Sequence, residues 1–301
     1  MKLFLVISLG LVMGVGTKAQ ELYIMADPAS NIPANSLSLR ITNMAMPMLD
    51  RERTSLRQEL SVAAGLHKNL MAKASMYAGN MFTGKYRLEA GALYAKYRFL
   101  SNDDFHKHFR MAAFGKLTFS GNPIGPQKWI THQNPDGTTH TEMSNHLADE
   151  LNIDGNHSGL TAGITATWLV HKLAVSGTGG FVQRFNNLGQ PGFPPSIARQ
   201  AVHYSLSAGY LLLPVSYKSY NQTNFNVYWE WLGGRLLDKK GYFADAAPGI
   251  QLIFKSRTRL EATYRFQVAG NMSRFNNRQW LVRLEHNLFG ALKSGKGTVK
   301  T

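Results

Sequence analysis

Apolar and polar residues alternate along most of the chain. From Arg259 to Gly270, the residues Leu260, Ala262, Tyr264, Phe266 and Val268 share one parity, while Glu261, Thr263, Arg265 and Gln267 share the other. A period of two is the signature of a β-strand. Twelve segments carry it: 36–46, 57–68, 70–80, 87–100, 106–120, 157–170, 172–185, 200–213, 222–234, 242–256, 258–270 and 278–289. Most exceed the roughly five or six residues of a soluble strand and reach the roughly nine to eleven that a tilted strand needs to cross a bilayer.

The connections sort by length. One set is short: around Lys68, 101–105, around His171, 214–221 and 256–257. The alternate set is longer on the whole: 47–56, 81–86, 121–156, 186–199, 235–241 and 271–277. Short turns at one end and long loops at the other predict an all-β, antiparallel, up-and-down transmembrane β-barrel of twelve strands over 35–289, with short periplasmic turns and long extracellular loops. An even strand number returns the last strand to the first and leaves no edge unpaired.

In such a barrel the apolar face meets lipid and the polar face lines the lumen. The expected lipid-facing aromatics are Trp168, Tyr204, Tyr210, Trp229, Trp231, Tyr264, Phe266 and Trp280. The expected lumen and selectivity residues are Glu59, Lys96, Arg98, His108, Arg110, Lys116, His203, Glu230, Glu261, Arg265, Arg283 and Glu285. With Lys255 also placed inward, basic groups outnumber acidic ones there and predict a mildly anion-favouring interior. Three segments fit less well. Pro248 falls inside a strand and calls for a bulge or a shorter element. Lys73 suits either face, and the glycines at 177–180 fix register poorly.

Residues 1–19 read as a cleaved export signal: Lys2, an apolar run to Val15, then Thr17-Lys18-Ala19. Residues 20–34, with Pro28 and Pro33, read as a periplasmic lead-in or plug-like segment, and 290–301 as a disordered basic tail. No segment has the ~20 apolar residues of a membrane helix. There are no cysteines, hence no disulfides, thiol nucleophile or cysteine metal site. The formal charge is +15, and +13 without Lys2 and Lys18. Export and the dispersal of the basic residues argue against nucleic acid and for acidic lipid. The expected surroundings are the bacterial outer membrane, its lipid and lipopolysaccharide, and the barrel-assembly machinery.

Four stretches, "DPASNIPANSLSLRITN" (27–43), "LHKNLM" (66–71), "LYAKYRFLSNDDFHKHFRMAAFG" (93–115) and "PGIQLIFKSRTRLEATYRFQ" (248–267), resemble the outer-membrane barrels grouped with phenol meta-cleavage-pathway channel proteins. The resemblance covers most of the chain after residue 19. It implies a porin-like or transporter role and brings no catalytic residues. One departure is that Phe289 is followed by twelve further residues and differs in parity from Trp280, Val282 and Leu284.

Three side-chain groups invite chemistry. Loop 121–156 and its neighbour hold His132, His140, His146 and His157 beside Glu142, Asp149, Glu150 and Asp154. No His pair there has helical ligand spacing, so a solvated loop is expected and no metal. His106 and His108 follow Asp103 and Asp104 and suit a hydrated polar cluster. His203 and Ser205 lie two apart, the spacing at which a histidine can activate a serine on a strand. That pair shares the polar face and no orienting third residue is identifiable. The expected function is therefore passive passage of small solutes, without cofactor or catalysis. A closed barrel serving an envelope complex is the alternative, and a lipid hydrolase using His203 and Ser205 a third reading.

Overall fold

The computed structural model describes residues 23–49, 53–104, 107–125, 127–145, 148–151, 154–190, 192–193, 195, 197–216 and 221–293, with backbone alone at 127–130, 132 and 140–145. The expected export signal, most of the basic tail, His106, His146 and the side chains of His132, His140 and Glu142 lie outside the described residues.

The strands are β1 (Ser36–Pro47), β2 (Thr54–His67), β3 (Leu70–Gly79), β4 (Arg87–Asp103), β5 (Lys107–Ser120), β6 (Gln127–Gln133) and β7 (Thr139–Asn145). They continue as β8 (Gly159–Val170), β9 (Leu173–Arg184), β10 (Gln200–Leu213), β11 (Asn224–Leu236), β12 (Tyr242–Phe254), β13 (Thr258–Gly270) and β14 (Arg278–Leu288). Twelve of them form one closed antiparallel barrel in which β1 pairs with β14, from Leu37 opposite Leu288 to Ala45 opposite Trp280. Closure satisfies every strand's backbone without water, the condition for crossing hydrocarbon. The remaining two, β6 and β7, form a hairpin inside the long loop between β5 and β8, which themselves pair directly. That hairpin is absent from the sequence reading. Its turn is built at Asn134–Thr138, with Gly137 at φ +82°.

Alternation of burial follows alternation of polarity, but inverted. On β14 every outward residue is exposed and apolar positions such as Trp280, Val282 and Leu284 are among them, whereas Arg283 and Glu285 are buried. Strand β2 behaves likewise: Leu60 and Val62 are exposed, and Arg57, Glu59 and Ser61 buried. Lipid solvates the greasy face, and the interior is the polar one.

The irregular segments have local explanations. Pro248 does not shorten β12. The β12–β13 ladder is paired at Ala246–Phe266 and resumes at Gly249–Thr263, with no pair at Ala247 or Pro248, as a residue without an N–H requires. A bulge also lies at Ala244/Asp245. Glycine-rich β9 keeps unbroken register with β8 and β10. On its inner face Phe114 lies over the bare backbone of Gly163 and Gly180, where an added Cβ on Gly163 would stand 2.8 Å from the ring. Lys255 departs from expectation. It sits in the β12–β13 turn at φ +49° and is exposed, so it does not face the lumen.

Candidate functional site: a chamber inside the barrel

The chain before β1 folds back into the lumen. Glu230, midway along β11 and fully buried, accepts the backbone N–H groups of Ile24 and Met25 at Oε1 (3.0 and 2.9 Å) and of Ala26 at Oε2 (2.8 Å). Three successive amides thus converge on one carboxylate, and the Ser207 hydroxyl donates to it at 3.1 Å. Other strands hold the rest of the segment. Lys96 donates to the Pro28 carbonyl (2.7 Å), Arg283 to that of Ile24 (2.7 Å) and Thr165 to that of Asp27 (3.1 Å), while Thr167 accepts from the Ala29 N–H (2.9 Å). Two glycines make room. A Cβ on Gly65 would overlap the Pro33 carbonyl oxygen, and one on Gly249 would lie 2.6 Å from Ile24 Cδ1. Burial alone would raise the Asp27 pKa. The charges of Lys73, Lys96 and Arg40, with a hydrogen bond from Tyr94, outweigh it and hold the carboxyl below the usual range.

The opposite end of the lumen is capped by loops. Arg57 pairs with Glu89 (2.7 Å) and reaches the Asp154 carbonyl (3.0 Å) and Asn156 Oδ1 (2.6 Å). Arg274 bridges Glu150 (2.9 Å) and Asp245 (2.8 Å), and Arg184 donates to the Glu150 carbonyl (2.6 Å). These contacts pin the end of the long β5–β8 loop inside the rim. Apolar packing supports them: Met46, Met48, Met81, Phe82, Ala148 and Phe275 form one buried cluster. His157 lies among Phe82, Phe193 and Phe275, and neither ring nitrogen has a hydrogen-bond partner among the described residues. Burial, then the charges of Arg184 and Arg57, push its pKa well below that of a free imidazole.

Between floor and cap lies a cavity of about 300 Å³. Its charged lining contains Arg40, Arg57, Lys73, Lys116, Arg265 and Arg283 against Asp27, Glu59, Glu150 and Asp154, and its apolar lining includes Tyr94, Phe114 and Phe243. Cross-strand pairing neutralises much of this charge. Arg40 faces Glu285 in register (2.7 Å), Arg283 faces Glu261 (3.3 Å), Arg265 meets Asp245 (2.6 Å) and Lys116 meets Asp154.

The lumen candidates Glu59, Lys96, Lys116, His203, Glu230, Glu261, Arg265, Arg283 and Glu285 are on the inner face, all nine in or beside the chamber or its floor. Arg98, His108 and Arg110 sit at the short-turn rim, where Asp103 accepts from Arg110 (2.8 Å) and contacts His108 (2.8 Å). Trp168, Tyr204, Tyr210, Trp229, Trp231 and Trp280 are exposed on the outer face. Tyr264 shares it, stacked on Phe266 (5.6 Å) and close to Trp280 (4.3 Å). His203 and Ser205 both line the chamber, and no hydrogen bond joins them, so the pair faces away from lipid. Sequence reading missed Arg57, Glu89, Asp245 and Arg274, and Asp27 as the floor's charge. Parity with Glu59 and Ser61 was the available signal for Arg57.

No family model matches the chain, and no curated protein matches it. Among solved structures, an outer-membrane channel from Pseudomonas putida F1 superposes with a TM-score of 0.55 at 13% identity, over 87% of this chain and 100% of that one. The KdgM porin gives 0.46 at 9% identity over 83% and 98%, and the NanC porin 0.45 at 10% over 84% and 98%. At these identities the likeness is one of fold. The chain has the architecture of outer-membrane porin-like barrels.

Proposed function

We propose that this barrel is an outer-membrane channel for passive passage of small polar or amphiphilic solutes, held narrow at rest by the segment before β1 and by the inward loops. The observation that carries this reading is the chamber itself. It lies on the barrel's interior and is walled by hydrogen-bonding and charged side chains. Side chains fill a barrel of about eight strands, whereas twelve enclose more, and here the surplus is a chamber with a polar lining. The excess of basic over acidic groups in the lining favours anions, mildly because most are paired. Its size suits a ligand of a few rings or a short chain, at the low end of small-molecule sites.

Reconstitution into planar bilayers tests this. Small, salt-dependent unitary currents with anions favoured over cations are expected, together with uptake of small organic anions into liposomes. A barrel that folds, inserts and shows neither current nor uptake is a closed scaffold, and the proposal is then wrong.

A further inference from the structure

A second cavity, of about 270 Å³, opens on the outer face of β1, β2 and β14. Its floor is Ala45, which in register lies between Leu56 on β2 and Trp280 on β14. Below it the same face is mainly apolar: Leu39, Ile41, Leu60, Val62, Val282 and Leu284 are all exposed, with His286 on β14 opposite Leu39. Within this apolar wall stands a short polar row. Gln58 Nε2 donates to Asn43 Oδ1 at 2.7 Å, and the Tyr86 hydroxyl donates to Gln58 Oε1 at 2.7 Å.

That row leaves donors over. Each carboxamide carries two N–H bonds. One of the four is used, and the other three have no acceptor among the described residues. Such donors in hydrocarbon are costly unless a partner brings oxygen to them. The depth is informative. Asn43 lies four residues before Pro47, the loop end of β1, or about 13 Å along the strand at roughly 3.3 Å per residue. The long-loop end is the outer-leaflet end. Cations stand above the row: Lys85 precedes Tyr86 and is exposed, and exposed Arg278 shares the face of β14 two residues from Trp280.

We propose that this groove is a binding site for an outer-leaflet glycolipid of the lipopolysaccharide class. Acyl chains lie over Ala45 between Leu56 and Trp280. Their ester or amide carbonyls accept from Asn43 and Gln58. The sugar phosphates meet Lys85 and Arg278. A phospholipid of the inner leaflet reaches neither row nor cations, because both lie at the loop end. The site rests on the outer-membrane placement above but not on solute passage.

The test uses the intact barrel in phosphatidylethanolamine–phosphatidylglycerol nanodiscs, titrated with purified lipopolysaccharide and read by mass spectrometry of the intact complex. Saturable binding of one glycolipid is expected. The double variant Asn43→Ala/Gln58→Ala should bind about tenfold more weakly, the loss of one or two ordinary hydrogen bonds. Ala45→Trp, which keeps the amides but fills the floor, should weaken binding at least as much. Heat-modifiable gel migration verifies folding of each variant. Absence of saturable binding by the wild type, wild-type affinity in both variants, or equal competition by phosphatidylglycerol would overturn the site. Conductance measured on the same preparations reports separately on the channel.

Discussion

Glu230→Ala is the most direct perturbation of the resting state. The carboxylate receives three backbone N–H groups from Ile24, Met25 and Ala26, all inside the barrel. Hydrogen bonds to a charged group contribute about 1.5–3 kcal/mol each. Three would sum to at least ~4.5 kcal/mol, but neighbouring bonds are not additive, and water entering the space left by the side chain re-satisfies part of the loss. A net weakening of about 3 kcal/mol is a reasonable expectation, which raises the population of the displaced segment roughly a hundredfold. The assay exploits the absence of cysteine from the chain. Ser30→Cys introduces a single, nearly isosteric thiol at a position 5% exposed. Its maleimide labelling rate then reports how often the segment leaves the lumen. Adding Glu230→Ala should speed labelling by about two orders of magnitude and raise unitary conductance. Glu230→Gln keeps one oxygen, the acceptor for two of the three amides at best, and should fall between. Unchanged labelling and unchanged conductance in Glu230→Ala would refute the view that this carboxylate holds the floor in place.

Other consequences are as specific. His157 is buried neutral with a depressed pKa, so stability present above the free-imidazole value of about 6.5 is lost as pH falls below it; conductance should rise on acidification from the loop side, and His157→Phe should remove that response. Asp27 acts lower: its carboxyl is depressed, so the floor loses stability only as pH drops through and below the ordinary carboxylate range of about 4, and Asp27→Asn should abolish that acid step in Ser30→Cys labelling. Gly65→Val places carbon where the Pro33 carbonyl sits and should dislodge the segment at a cost of about 1–3 kcal/mol, seen as faster labelling in a barrel of unchanged heat-modifiability. Leu60→Arg, on the lipid face, should destabilise the barrel by about 2–4 kcal/mol in urea titrations of vesicle-inserted protein, whereas Ser61→Arg, one residue on but facing the lumen, should not follow that lipid-depth cost.

Much of the barrel was legible because lipid and lumen read alternate residues of the same strand. On β14 the sequence Arg278-Gln279-Trp280-Leu281-Val282-Arg283 announces both faces, and the register with β13 then sets Arg283 against Glu261. What joins distant strands was not legible. Glu230 could be placed inward by parity, but its partners are main-chain amides 204 to 206 residues earlier, which no side-chain pattern marks. The hairpin β6–β7 was hidden because neither of its seven-residue strands spans a bilayer, so the length test that found the others passed over it. Lys255 was misassigned because parity was extended into a turn whose left-handed φ breaks the alternation. Asp245 and Arg274 escaped notice because their importance lies in each other, one on a strand and one in a loop.

The segment ahead of β1 also constrains how the molecule can be built. Its handholds are Gly65 on the second strand, Lys96 on the fourth, Glu230 on the eleventh and Arg283 on the fourteenth. That stretch precedes every one of its anchors along the chain and is therefore among the last to find its seat, because two of them, Glu230 and Arg283, arrive only with the final quarter of the sequence. The stretch can take its full set of anchors only once β11 and β14 are in the wall, so its seating belongs to the closing stage of the fold, when the β1–β14 seam is joined.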